Sequence, residues 1–187
     1  SKQGQIYKSQ IKNLQDLENN VKKYSDFIEK HNIEKIPNCF VRDFLSWEKN
    51  KLNHLTSLDV FPFISKNVKG SKTEHLSVFS RISKDIQDLF SGIGDNVNLR
   101  IIYPIEEIDK LNKNDYLLDN QKYEVRFVER KDMYCVMQVC DRSFSWMGFE
   151  DHKNEFDYLN VIEGNNTRFL NWSISNFEFL WKDSKKL

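Results

Sequence analysis

The sequence predicts an α/β fold, a mixed β-sheet flanked by helices and preceded by an N-terminal helical segment. Three observations carry this reading. Helical apolar spacing alternates with short β-like runs through the first part of the chain, which implies parallel crossovers and a sheet covered on both faces. From Tyr123 to Trp146 two β-like runs follow one another around a charged turn. Later strands lie close enough in sequence to be hairpins, which makes the sheet mixed.

The central stretch, YEVRFVERKDMYCVMQVCDRSFSW, sets the middle of that sheet. Apolar and polar residues alternate from Tyr123 to Val128, ERKD forms a turn, and Met133 to Val139 is an almost unbroken apolar run, so the second strand is the more buried. With a period of two, Tyr134, Val136, Gln138 and Cys140 point to one side and Met137, Val139 and Asp141 to the other.

Residues 5–31 contain no proline and read as one long helix. Leu14, Leu17, Val21, Tyr24 and Ile28 step by three and four along it, a seam suited to a second copy or to the chain's own sheet; we assign it to dimerisation. Pro37 stops the pattern. A shorter helix from Cys39 to about Lys51 follows, with Val41, Phe44, Leu45 and Trp47 as its apolar residues. Together these make a helical segment over 1–51 ahead of a domain over 52–187.

Within that domain His54 to Ile64 reads as a strand marked at its end by Pro62, and NVKGSK as a turn. Glu74 to Phe90 reads as a helix by its apolar spacing, capped by Thr73 or Ser71 and ended by Gly92 and Gly94. Asn98 to Tyr103 is a short apolar strand, and Pro104 opens a helix carrying Ile105, Ile108 and Leu111. An Asn-rich loop, 112–121, leads back to the central strands. Met147 to Phe149 completes a third strand, Tyr158 to Ile162 a further one, and Asn165 to Lys185 a final helix presenting Phe169, Trp172, Phe177 and Trp181.

Composition excludes several classes. Over 187 residues Lys plus Arg and Asp plus Glu are both 28, so no long-range positive field gathers nucleic acid or acidic membrane. No direct nucleic-acid binding by this chain, and no membrane contact, is expected. No apolar run reaches the ~18–20 residues a bilayer requires, and no secretory pattern opens the chain, which points to the cytoplasm. Cys39, Cys135 and Cys140 have no CxxC spacing, so neither a disulfide framework nor a zinc site is expected, and Cys135 and Cys140 read as buried apolar residues. His31, His54, His75 and His152 are scattered, and no dinucleotide, P-loop, serine-hydrolase or zinc-peptidase motif occurs. No metal and no cofactor is expected.

From about residue 54 onward the chain resembles the phospholipase D-like domain used as a sensor in archaeal TrmB-type transcriptional regulators and sensor histidine kinases. NLRIIYP matches the family's basic-then-aliphatic strand, EVRFVE followed by VMQVCDRSF its paired strands closing on an Asp, and NTRFLNWSISNFEFLW its last helix, ending in Phe179 and Trp181. The resemblance implies the fold, and it implies where catalysis would lie. Active members carry His, one residue, Lys, four residues and Asp, because nucleophile and cation must share one strand face to attack and hold a phosphate. Counting back from Asp141 puts Val136 at the Lys position and Tyr134 at the His position. Asp151-His152-Lys153 sets His and Lys adjacent, which in an extended chain sends them apart.

The expected function is therefore a non-catalytic sensory or regulatory input domain, dimeric through its N-terminal helix. A small polar ligand is expected between Tyr103, Arg126, Asp141 and Trp146, at the strand mouths. Two alternatives stand beside it: an enzyme using Tyr134, Asp141 and His152, and a protein-interaction domain with no small ligand.

Overall fold

A computed structural model gives the architecture. It describes residues 24–40, 50–110 and 123–186 continuously, with Gly4, Tyr7, Lys8, Ile11, Gln15, Glu18 and Lys22 before them. Leu14, Leu17 and Val21 of the expected seam, residues 41–49 of the expected second helix and the 112–121 loop lie outside the described residues.

Seven strands form one sheet: β1 (Lys51–His54), β2 (Glu74–Val78), β3 (Asn98–Pro104), β4 (Tyr123–Val128), β5 (Cys135–Cys140), β6 (Phe144–Phe149) and β7 (Asn160–Gly164). Their order is β1-β7-β6-β5-β2-β3-β4. β2, β3 and β4 run parallel, and every other pairing is antiparallel, so the sheet is mixed. Helices α1 (Ser57–Gly70), α2 (Lys84–Ser91) and α3 (Thr167–Asp183) accompany it.

Two expected elements change type. The stretch read as a strand over 54–64 is mostly α1, with Pro62 inside it. Local chemistry explains this: Thr56 and Asp59 form a capping box, and Ile64 and Val68 fall one turn apart on the buried side. The stretch read as a helix over 74–90 is divided, β2 first and then α2 from Lys84, with Ser83 Oγ accepting from Ile86 N at 3.3 Å as its cap. β2 is buried on both faces, so its apolar residues show no alternation to separate strand from helix.

Register divides the sheet into two faces. His75, Ser77, Ile101, Val125, Gln138 and Trp146 share one; Leu76, Arg100, Ile102, Arg126, Val139 and Met147 share the other. α1 and α2 cover the first, with Phe63 at 5.7 Å from Trp146 and Phe90 at 5.9 Å from His75, ring centre to ring centre. α3 covers the second, where Arg100 lies 5.1 Å over the Phe177 ring and Arg126 4.4 Å over that of Trp181. Such stacked guanidinium contacts stabilise by about 1 kcal/mol each.

The N-terminal residues join this second face. Phe27 meets Phe149 edge-on at 5.9 Å, and Tyr24, Phe27 and Ile36 are buried. Tyr24 and Ile28, assigned from sequence to a dimer seam, thus pack against the chain's own core. An amphipathic stripe reads the same whether a second copy or the home sheet covers it, and here the sheet does. Cys135 and Cys140 are buried as expected, whereas Cys39 is exposed.

Candidate functional site

The head of β5 is where the sequence comparison with phosphodiester chemistry placed a nucleophile and its cation. Tyr134 lies one residue before β5, and its hydroxyl donates to Asn176 Oδ1 of α3 at 2.8 Å. Asn176 Nδ2 in turn donates to the Trp172 carbonyl at 2.8 Å, so the amide is locked from both ends. Burial pushes the Tyr134 hydroxyl well above the usual phenol range, which keeps it protonated. Val136 is fully buried. It packs where β6 comes closest: a Cβ on Gly148 would lie 2.2 Å from the Asp157 carbonyl oxygen and 3.2 Å from Val136 Cγ2. That closeness explains glycine at 148.

Asp141 sits at the far end of β5, beside β2's first residue rather than beside Tyr134. Six strand residues separate the two, about 20 Å of extended chain. Its carboxylate accepts from the backbone N–H of Lys72, Thr73 and Glu74 at 2.8 to 3.1 Å and from Thr73 Oγ1 at 2.9 Å. Partial burial works against ionisation there, yet these donors hold the carboxyl below the usual carboxylate range. Asp141 and Arg142 both adopt positive φ, 51° and 52°, turning β5 into β6. Asp141 is accordingly a staple between that turn and the entry to β2.

The pocket expected from Tyr103, Arg126, Asp141 and Trp146 does not assemble. Tyr103 pairs with Phe127 and Trp146 with Gln138 on the face under α1 and α2, whereas Arg126 pairs with Ile102 on the face under α3. Tyr103 and Trp146 are buried, the latter donating from Nε1 to Gln138 Oε1 at 2.7 Å. Arg126 is held by Glu124 at 2.8 Å and by the Trp181 carbonyl at 3.3 Å. The prediction placed all four at strand mouths but did not resolve which face each would meet. His152, third member of the enzymatic alternative, lies in a turn near the N-terminal residues, its Nε2 donating to the Glu29 carbonyl at 2.8 Å.

A cleft does open beside Tyr134. It has a volume of about 580 Å³ and lies between the end of β4, the Arg130–Asp132 turn, the end of α3 and the Lys35–Pro37 connector. Phe127, Val128, Met133, Tyr134 and Leu180 form an apolar floor, and Phe179 stands at the rim. Lys185 is fixed over it by a reciprocal backbone pair with Phe127, both bonds 2.8 Å. The residues that define it were visible in sequence only as a charged ERKD turn and a charged tail, neither of which marks a cavity. Among the described residues no group of three or more His, Cys, Asp or Glu is placed to hold a metal, and no helix is long and apolar enough to cross a membrane.

Comparison with known proteins gives a consistent fold. No family model matches the chain, and no curated protein matches it by sequence. Among solved structures, TrmBL2, described as an archaeal chromatin protein with a novel mode of DNA binding, is similar at a TM-score of 0.61 and 15% identity, over 97% of this chain and 68% of its own. NucT from Helicobacter pylori (TM-score 0.53, 16% identity) covers 74% of this chain and 99% of its own. Nuc from Salmonella typhimurium, a phospholipase D family member (TM-score 0.55, 11% identity), covers the same shares, 74% and 99%. The chain has the phospholipase D-like α/β fold, shared with a phospholipase D family member and with a chromatin protein. One expectation is corrected by this: zero net charge was read as excluding nucleic-acid contact, yet the TrmBL2 fold, matched along nearly all of this chain, is described in a DNA-binding protein. Overall charge balance leaves local patches unspecified, so it cannot carry that exclusion.

Proposed function

We propose that this chain is a non-catalytic regulatory domain on a phospholipase D-like scaffold, one that binds and transmits rather than cleaves. The observation that carries the reading is the state of the β5 head. Where His and Lys would share a face, Tyr134 is tied to Asn176 and Val136 is sealed against Gly148. A neutral phenol and an isopropyl group supply neither a nucleophile near its working pKa nor a cation for developing phosphoryl charge.

The same geometry supports the transmission part of this reading. The connector residues Lys35 and Pro37 line the cleft, and the residues just before them, Tyr24 to His31, pack on the sheet. A molecule seated in the cleft would thus press directly on the segment leading to the N-terminal helix. A transcription- or chromatin-associated role is favoured over a sensor-kinase role because a chromatin protein shares the fold over 97% of this chain. Dimerisation is assigned to the part of the helix before Tyr24, since Tyr24 and Phe27 are already covered.

One experiment tests cleavage and contact together. Fluorescent duplex DNA is incubated with the chain at low salt, and both anisotropy and strand length are followed. Intact strands support the proposal whether or not anisotropy rises; shortened strands overturn it. Sedimentation of the chain lacking residues 1–23 tests the dimer, which should be lost while the domain stays folded.

A further inference from the structure

Resting on the regulatory reading, we propose that the cleft beside Tyr134 binds a zwitterion with an apolar body, an aromatic or branched aliphatic α-amino acid being its smallest member. The lining decides the class. Among the described residues it contains no Asn, Gln, Ser or Thr, so a neutral polyhydroxyl ligand would find there no uncharged amide or hydroxyl partner beyond Tyr134, whose hydroxyl is committed to Asn176. Every other polar side chain in the lining is charged, three lysines and three acids, which disfavours a purely anionic or purely cationic ligand.

Pairing then selects the atoms available. Lys35 is engaged by Glu150, and Lys131 by Glu129 at 2.6 Å. Among the described residues Lys185, Asp132 and Asp183 make no close ion pair, although the charge of Lys185 reaches Glu129 and that of Asp132 reaches Lys131. One ammonium and two carboxylates of the lining are thus left to meet a ligand. Asp183 is the last residue of α3, where helix carbonyls add negative potential, a place for a ligand's ammonium group. Lys185, whose backbone is locked onto β4, suits its carboxylate. The buried floor of Phe127, Met133 and Leu180 takes the apolar side chain, which a volume of about 580 Å³ accommodates with room for a bulky one.

The test is isothermal titration of the 187-residue chain with L-phenylalanine, beside N-acetyl-L-phenylalanine and L-phenylalanine amide, each lacking one terminal charge. Saturable binding is expected, weakened about tenfold or more by either block, and likewise by Lys185→Gln or Asp183→Asn at unchanged melting temperature. No binding at millimolar concentration, equal binding of the blocked forms, or binding of glucose or inorganic phosphate in place of the amino acid would overturn the assignment. Phosphodiester turnover by the same protein would instead sink the regulatory reading, whatever the titration gives.

Discussion

The side-chain amide of Gln138 donates to the Nε2 of His75 across 3.2 Å in a position neither residue shares with solvent. The other end of that amide accepts from Trp146 Nε1 at 2.7 Å, so its orientation is fixed and His75 Nε2 must be the unprotonated nitrogen. His75 Nδ1 then donates to Ser71 Oγ at 2.7 Å, and Ser71 Oγ donates to the Asn67 carbonyl at 3.2 Å. A single polar rail thereby crosses β6, β5 and β2 and ends on the last turn of α1.

Cutting the rail at its middle should be costly. Gln138→Leu leaves the indole N–H and the imidazole Nε2 without partners, and a loss of about 3 kcal/mol is expected in chemical denaturation. Ser77 supplies the contrast, because its buried Oγ has no hydrogen-bond partner. Ser77→Ala should be neutral or slightly stabilising.

Acid should weaken the fold through the same histidine. Burial drives the His75 pKa from 6.5 down to about 3, only partly opposed by the Asp141 charge. The unfolded chain therefore takes up a proton that the folded chain refuses, and stability falls as pH drops from about 6.5 towards 3. At pH 5 the loss from this residue is about 2 kcal/mol relative to pH 7. Asp157 adds a second, lower window. Burial would raise its pKa, but bonds from His31, Asn160 and Leu159 outweigh that and hold it at about 2, so its contribution is complete above about 4 and lost below. Melting temperatures of wild type and His75→Gln, compared at pH 7 and pH 5, should converge as pH falls.

Asp141→Ala removes the acceptor for three backbone N–H groups and the Thr73 hydroxyl at one stroke. A loss of about 2–3 kcal/mol is expected from equilibrium denaturation, because charge-assisted bonds are the stronger kind. Asp141→Asn should recover part of it.

Restoring a lysine at the head of β5 should not restore a site. Val136→Lys would bury an ammonium in a position that is fully closed and already crowded by Gly148 and the Asp157 backbone. Loss of ~3 kcal/mol or more, or failure to fold, is the expected result in thermal denaturation. Tyr134→Phe, which gives up one hydrogen bond, should cost only about 1 kcal/mol.

How far the sequence was readable follows from which elements show one face. β4 alternates because it is an edge strand with one flank half open, and it was read with its bounds correct. The opposite setting hid β2, whose residues from His75 to Val78 are all buried. α1 was missed because Pro62 was read as ending a strand, and the Thr56–Asp59 capping box that starts the helix went unread. Counting along the strand put Val136 at the head of β5 on the side of Gln138, but Tyr134, read as facing the same way, lies one residue before the strand and turns to Asn176 of α3. The expected ligand residues came from three strands and a turn, and their faces depend on register, which single-strand counting does not supply.

Hydrolysis of bis(p-nitrophenyl) phosphate by the purified chain, followed for hours at high protein concentration, addresses the account most directly. A rate equal to that of buffer, unchanged in Tyr134→Phe and in Asp141→Asn, is the predicted result. Turnover above buffer that disappears in either variant would contradict it.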